Sequence, residues 1–350
     1  MKLTKENILK LKYNNDPDYF VECGSSVLYY NGIFIKVLIK HFDFFNKFGN
    51  QKLTKEEIVK KFKIIDRAAC VILPLLIEKK LLDVKENKYF LTELSKEFLL
   101  SKSEKHIGNY VLVGSNTNYY EQELCKNIVS VFKTGKPIFA KNKGFFNEKI
   151  KNDNSYAVNL SLALAERGVY SAHILSKKYD LSKNNHLVDI GGGQGVYSCF
   201  LAAHNPKLKI DILEIPTVVP ITTNFIKQNK FSSQINVISG DMFKYNYNRK
   251  YDVHFYSNVL HDWDKKDVKK LLGNSYKGLP NGGKILIFDG HKELKNNPMS
   301  LIENDLFLLM GSEGRYYYYF EIKEMLEKAG FKDIKKINIA SGRSLVIGTK

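Results

Sequence analysis

Apolar residues recur at helical spacing through Asn31–Phe48, NGIFIKVLIKHFDFFNKF, which predicts a single helix there. Leu53–Phe62 follows, with Thr54 three residues ahead of Glu57, the capping-box spacing that opens a second helix. Asp66–Leu82 is a third helix, apolar through its middle as AACVILPLLI. Asp83–Val84 and Tyr89–Leu91 then read as two short strands around the polar turn KENK. Between residues 106 and 180 the pattern is mostly helical and carries many aromatics: Tyr110, Tyr119, Tyr120, Phe132, Phe139, Phe145, Phe146, Tyr156 and Tyr170. Most are expected in a core, where their apolar area counts most, and some along a small-molecule pocket.

At His186 the period changes. Short apolar runs at 186–191, 209–215, 235–239, 251–257 and 283–289 alternate with helical segments, among them Asp264–Leu279. That alternation predicts an α/β fold with a doubly wound, mostly parallel sheet, which takes ligands at the carboxyl ends of its strands. After a helix at Phe320–Ala329, Phe331–Ile339 and Ser344–Thr349 read as two strands joined by ASGRS. An antiparallel hairpin of this kind is not the usual end of a dinucleotide-binding domain. The expected organisation is an N-terminal helical module over 1–105, a helical connector over 106–180 that contributes to a substrate pocket, and an α/β domain over 181–350.

Three helices followed by a hairpin is the order of a winged helix, and the net charge is +17. Both raise the question of nucleic acid. The third helix lacks the polar face that a recognition helix needs, and lysine supplies nearly all the positive charge. Base readout and phosphate clamping favour clustered arginine. No nucleic-acid partner is therefore expected, and the module is read as a dimerisation surface. No apolar run is long enough to span a bilayer, and the polar N-terminus lacks the core of a signal peptide, so the expected location is the cytoplasm, with no membrane partner. Cys23, Cys70, Cys125 and Cys199 are widely spaced and read as free buried thiols.

The candidate chemistry starts at His186–Gly195, HLVDIGGGQG. Asp189 ends an apolar run, and Gly191 and Gly193 let the backbone turn sharply and approach a ligand. The helix beyond presents unpaired N–H groups. Val196 stands where the third glycine of a dinucleotide fingerprint belongs. Glu214 closes the second strand and can accept from a ribose diol. Asp241 and Met242 follow the third strand, placed to meet an adenine amino group and ring face. The fourth strand ends in Ser257-Asn258-Val259-Leu260-His261-Asp262-Trp263. His261 is the candidate general base, since an imidazole exchanges protons near neutral pH. Asp262, Asp264 and Asp267 read as the acidic start of a helix rather than a metal site.

VDIGGGQG, GDMF and LHDW, in this order and spacing, resemble the S-adenosylmethionine-dependent O-methyltransferases of the caffeate and hydroxyindole type. The helical N-terminal module is also similar to that family's dimerisation domain, and the closing hairpin to the end of a class I methyltransferase domain. The resemblance covers nearly the whole chain. It implies a homodimer that transfers a methyl group from S-adenosylmethionine to a hydroxyl of a small, usually aromatic molecule, without metal. Carried over, Asp189, Gly191 and Gly193 match the cofactor turn, Glu214 the ribose-binding acid, and Asp241 and Met242 the adenine contacts. His261 matches the catalytic base and Asp289 the acid that orients it. Ser257 stands where the family has a cofactor-contacting lysine, and Tyr316 where it has a second orienting acid. Phe307, Met310 and Tyr316 are candidates for the acceptor pocket.

Three rival readings remain at this stage. A winged-helix DNA-binding regulator would show steep salt dependence. A dinucleotide oxidoreductase would bind NAD. A relative that keeps the cofactor but carries out altered or non-methylating chemistry is suggested by Tyr316.

Overall fold

A computed structural model describes residues 3–11, 28–103, 106, 108–112, 119–138, 154–340 and 342–350, with backbone alone for 28–31, 109–110, 119–121 and 154–163. It divides into two compact units, one of Glu22–Phe145 with Lys292–Arg315, the other of Met1–Val21, Phe146–His291 and Tyr316–Lys350.

In the first unit the helix expected over 31–48 is two helices, Leu28–Phe42 and Phe44–Phe48. The break is Asp43, whose φ of 48° is left-handed and cannot continue a right-handed helix. The Lys55–Phe62 helix opens as expected: the Thr54 hydroxyl accepts from the Glu57 N–H, and the Glu57 carboxylate accepts from the Thr54 N–H at 2.7 Å. Asp66–Glu78 follows, buried from Ala68 through Leu76 within the core of its own unit. Its apolar middle is thus used up by this chain. Strands β1 (Leu82–Lys85) and β2 (Lys88–Leu91) pair antiparallel. Their two-residue turn, Glu86 and Asn87, has positive φ at both positions, the geometry that matches strand twist.

The helix Met299–Gly311 belongs to this unit because it is apolar nearly all round and must be covered. Ile302, Leu306, Leu309 and Met310 join the same core as Phe34, Phe132 and Leu73. Arg67, at the start of the third helix, donates to the carbonyls of Ser312, Gly314, Gly135 and Leu309 at 2.6–3.1 Å. That guanidinium ties the segment in and is committed to backbone.

The second unit is an eight-stranded sheet. Its strands are β3 (His186–Ile190), β4 (Lys209–Glu214), β5 (Ile235–Ser239), β6 (Val253–Ser257), β7 (Lys284–Lys292), β8 (Tyr317–Tyr318), β9 (Lys332–Ala340) and β10 (Arg343–Thr349). The order is β5-β4-β3-β6-β7-β10-β9, with β8 on β7. β3 to β7 pair in parallel, and β10 runs antiparallel to both β7 and β9, the hairpin read from the sequence. Successive residues of one strand enter different cores: Leu286 and Phe288 pack on one face, Ile285 and Ile287 on the other. Burial on both faces is why these strands read as unbroken apolar runs. The chain leaves β3 toward β4 on one side and reaches β6 on the other, so a crevice opens above the carboxyl ends of β3 and β6.

The compact units do not follow the expected boundaries at 105 and 180. Leu3 and Ile8 pack into a core of the sheet unit, and the Leu3 N–H donates to Asn229 Oδ1 at 2.6 Å. In the connector, Phe132 lies in the first unit's core. Phe139, Phe145 and Phe146, and the side chains of Tyr110, Tyr119, Tyr120 and Tyr156, lie outside the described residues. Cys70, Cys125 and Cys199 are buried and form no disulfide among the described residues, and Cys23 lies outside the described residues. Among the described residues no helix is long and apolar enough to cross a membrane.

Candidate active site

The glycine turn leaves β3 and is held by the Gly191 N–H donating to the Leu213 carbonyl at 2.9 Å. Gly192 has to be glycine: a Cβ there would sit 2.6 Å from Asp189 Oδ2 and 2.9 Å from Ile212 Cγ2. Gly193 differs, with φ of +57° and nothing within 4 Å of where a Cβ would stand. The turn is tight beneath and open above. Asp189 belongs to the underside. It is fully buried, and its Oδ2 accepts from the Ser198 hydroxyl at 2.7 Å while Oδ1 has no partner. Burial pushes its pKa up to about 7. The structure therefore places Asp189 under the turn, not on its ligand-facing side.

Glu214 reaches the open side from the end of β4. Its Oε1 accepts from the Gly193 N–H at 2.9 Å and its Oε2 from the Ile215 N–H at 2.8 Å. Each oxygen keeps a free lone pair. Burial lifts this carboxyl above its ordinary range, and the two N–H bonds offset only part of that. The Glu214 carbonyl also accepts from the Gly240 N–H at 2.9 Å, which brings the end of β5 alongside. There Asp241 is exposed, its Oδ1 accepting from the Phe243 N–H at 2.9 Å, and Met242 is half-buried. Phe243 meets Trp263 edge to face at 4.6 Å between ring centroids. The loops after β5 and β6 thus close one side of the crevice.

His261 sits in a short 3-10 turn, Leu260–Asp262, just past β6. Asp289 rises from the neighbouring β7 and is buried. The His261 Nδ1–H donates to Asp289 Oδ1 at 2.7 Å, and the His261 backbone N–H donates to Oδ2 at 3.3 Å. The carboxylate is held below its usual range despite burial, because His261 and the Gly290 N–H stabilise its charge. An ionised acceptor on Nδ1 fixes the tautomer and leaves the Nε2 lone pair free. Nε2 lies 3.6 Å from Asp262 Oδ1, too long for a hydrogen bond, and that oxygen is buried without a partner. Burial lowers the imidazole pKa, but Asp289 and Asp262 outweigh it and the net direction is up. The ring of Tyr316, itself buried, packs at 4.9 Å from the His261 ring.

The structure thus gathers Gly191, Gly193, Glu214, Asp241, Met242, His261, Asp289 and Tyr316 at one end of one sheet. Ser257 is buried at the end of β6. Phe307 and Met310 belong to the other compact unit, Met310 in its core and Phe307 exposed. Asp264 and Asp267 do start a helix, Lys265–Gly278, with Asp264 as its cap. Asp262 does not, because it faces His261. Residues missed from the sequence include Asn258, whose φ of 54° is left-handed. Its side chain donates to the Tyr197 hydroxyl at 3.2 Å and accepts from Arg343 Nε at 2.9 Å. An asparagine directly after a strand was the available signal, since it tolerates that conformation better than other residues.

These features fit an adenosine-type cofactor: an open turn at Gly193, a carboxylate with lone pairs to spare at Glu214, and a half-buried thioether at Met242. Among the described residues no group of three or more His, Cys, Asp or Glu could hold a metal ion. A doubly wound sheet closed by an antiparallel hairpin, with such a crevice beside a histidine–carboxylate pair, defines the class: a group-transfer enzyme working on a nucleoside-bearing donor.

Comparison with known proteins makes this specific. The model of an O-methyltransferase domain family matches residues 126–332, more than half of the chain. The L-tyrosine C(3)-methyltransferase of Streptomyces lavendulae is 34% identical over 155 residues, 43% of this chain and 42% of that protein. The 3-hydroxy-5-methyl-1-naphthoate 3-O-methyltransferase of Streptomyces sahachiroi is 24% identical over 301 residues, 84% of this chain and 85% of that one. An O-methyltransferase family 2 protein from Planctomyces limnophilus DSM 3776, solved as a complex with apigenin, superposes with a TM-score of 0.83 at 22% identity, covering 97% of this chain and 98% of that one. The chain belongs to this O-methyltransferase family and is an S-adenosylmethionine-dependent enzyme of it.

Proposed function

We propose that the chain methylates a hydroxyl on a small aromatic molecule, with His261 as the general base. The observation that carries this reading is the buried His261–Asp289 pair, which leaves Nε2 as the one free basic nitrogen of the ring. When bound, S-adenosylmethionine supplies an electrophilic methyl group on a sulfonium. Glu214 would hold the ribose hydroxyls, Asp241 the adenine amino group and Met242 the ring face. Gly191 and Gly193 line the turn, and Ser257 lies beside it. A phenol with a pKa near 10 is a weak nucleophile at neutral pH. His261 Nε2 takes the hydroxyl proton as the oxygen becomes nucleophilic, a contribution of roughly 10²–10⁴-fold. Asp289 keeps the imidazole in the productive tautomer and stabilises the cation that forms. Tyr316 packs against that ring and borders the acceptor's place.

The aromatic acceptor is supported by the naphthoate and tyrosine named for the two relatives. A homodimer is supported by the resemblance of the N-terminal module to a dimerisation domain, and light scattering tests it. A cytoplasmic location is supported by the three buried cysteines that form no disulfide among the described residues, which suit a reducing compartment.

The test is methyl transfer from labelled S-adenosylmethionine into a panel of phenols, with wild type and His261→Ala. The expected result is labelled product with the methyl on oxygen by NMR, and a loss of 10²-fold or more in kcat for the variant. Affinity for S-adenosylhomocysteine should be retained. Unchanged turnover in the variant sinks the assignment of the base.

A further inference from the structure

We propose that Arg167 binds a carboxylate of the methyl acceptor, so that the acceptor is an aromatic hydroxy acid rather than a neutral phenol. This rests on the transfer reading above and narrows its substrate class.

Only five of the 54 basic residues are arginine. Where lysine is the default, arginine marks positions that need a planar, permanently charged fork. Arg67 is committed to backbone carbonyls. Arg167 is different: it is half-buried yet makes no hydrogen bond or ion pair to any described residue. Its place is well defined. Arg167 lies on the Asn154–Lys178 helix, one turn before Ser171, whose hydroxyl is 3.2 Å from that of Tyr197. Gly168, next to it, packs on the Tyr197 ring. The Tyr197 hydroxyl is in turn bound by Asn258, which holds Arg343. The chain Ser171–Tyr197–Asn258–Arg343 therefore links the neighbours of Arg167 to Asn258, three residues before His261.

The charges around it are unbalanced. Burial and the charge of Arg343 both work against the Arg167 cation, while Tyr316, Tyr197 and Asp262 favour it less strongly. Its field reaches the His261 imidazole and Asp262. A half-buried guanidinium with no described partner of its own favours an anion beside it. A carboxylate would satisfy the Arg167 fork in bidentate fashion. With the hydroxyl of the same molecule at His261 Nε2, the ring between them would lie against Tyr316.

The experiment uses the full chain and the three hydroxybenzoates and 3-hydroxy-2-naphthoate, each against its primary amide. The expected result is that at least one acid exceeds its amide by about 10- to 100-fold in kcat/KM, the range of a charge-assisted hydrogen bond. The preference should collapse in Arg167→Met and survive in part in Arg167→Lys. Calorimetric binding in the presence of S-adenosylhomocysteine separates the two proposals. An acid that binds wild type, loses binding in Arg167→Met and is not methylated supports the anion site and sinks methyl transfer to that class. Amides equal to acids in wild type, or an acid preference that persists in Arg167→Met, overturns the anion site. So does no binding of any acid.

Discussion

The ring of Tyr316 lies 4.9 Å from that of His261, centroid to centroid, tilted by 53°. An aromatic ring thus packs beside the imidazole where the family resemblance had led to an acid, and the second carboxylate near the ring is Asp262, 3.6 Å from Nε2. This has a consequence for pH dependence. Burial lowers the His261 pKa, Asp289 and Asp262 raise it by more, and the net shift is upward from 6.5. A general base works only when neutral, so its active fraction grows as pH rises through that raised pKa. The acid limb of kcat/KM should have its midpoint above 6.5. Tyr316→Glu, which adds a negative charge beside the ring, should move the limb up by about one unit or more. Asp262→Asn should move it down. Rates from about pH 5.5 to 9 decide this; a wild-type midpoint below 6.5, or a limb unmoved by Tyr316→Glu, refutes it.

Gly192 and Gly193 predict two different defects. A methyl at Gly192 overlaps buried Asp189 and Ile212 atoms, so Gly192→Ala should destabilise the sheet unit by about 1–3 kcal/mol, as overpacked cores do. At Gly193 the methyl meets no atom, but φ is +57°, which costs roughly 1–2 kcal/mol without glycine. There the methyl projects into the space assigned to the cofactor. Affinity for S-adenosylhomocysteine should therefore fall far more in Gly193→Ala than its loss of thermal stability would suggest. Equal affinity in wild type and Gly193→Ala would place the cofactor elsewhere.

Much of this was legible in the chain. The parallel sheet and closing hairpin follow from short apolar runs, because strands covered on both faces need apolar residues at every position. The turn, Glu214, Asp241–Met242 and His261 could be singled out as candidates because each sits at the end of such a run, whereas Asp289, inside β7, came from the family resemblance alone. The helix break at Asp43 was not: the apolar period continues through Phe44, Phe45 and Phe48, and only a left-handed backbone interrupts it. Asp189 looked like a ligand contact because its sequence position touches the turn; only packing shows it underneath. Asp262 looked like a helix acid because Asp264 and Asp267 beside it are. Arg167 lies within a long helical pattern, far in sequence from the site, and its one signal was the scarcity of arginine.

Asp189 itself gives a stability prediction. Its folded pKa, near 7, stands above the ordinary value of 3.8, so the folded state holds a proton that the unfolded chain releases. Stability from this group is full at low pH and is lost as pH rises from about 4 to 7. Asp189→Asn removes that dependence. The melting temperature of the variant relative to wild type should thus be more favourable at pH 8 than at pH 5, with a free-energy change of order 1 kcal/mol or more across that range. A gap that stays constant between the two pH values is inconsistent with a buried, proton-holding Asp189.

The helical unit holds a buried charge pair of its own. Lys292 and Asp305 form a fully buried ion pair, and the same ammonium donates to the Cys70 carbonyl at 2.8 Å. Burial pulls the Lys292 pKa down from 10.5, with Asp305 opposing and Arg315 adding to the fall. A pair in this setting gains little net stability, since each charge has lost its water, but either one alone is costly. Asp305→Ala strands a buried ammonium and should destabilise the unit by about 3–5 kcal/mol. Lys292→Met combined with Asp305→Leu removes both charges at similar volume and should recover most of that loss. Thermal and urea unfolding of the wild type, the single variant and the double variant measure the difference. If the double variant is no more stable than Asp305→Ala, the cost lies in lost shape or in the Cys70 contact rather than in an unpaired charge.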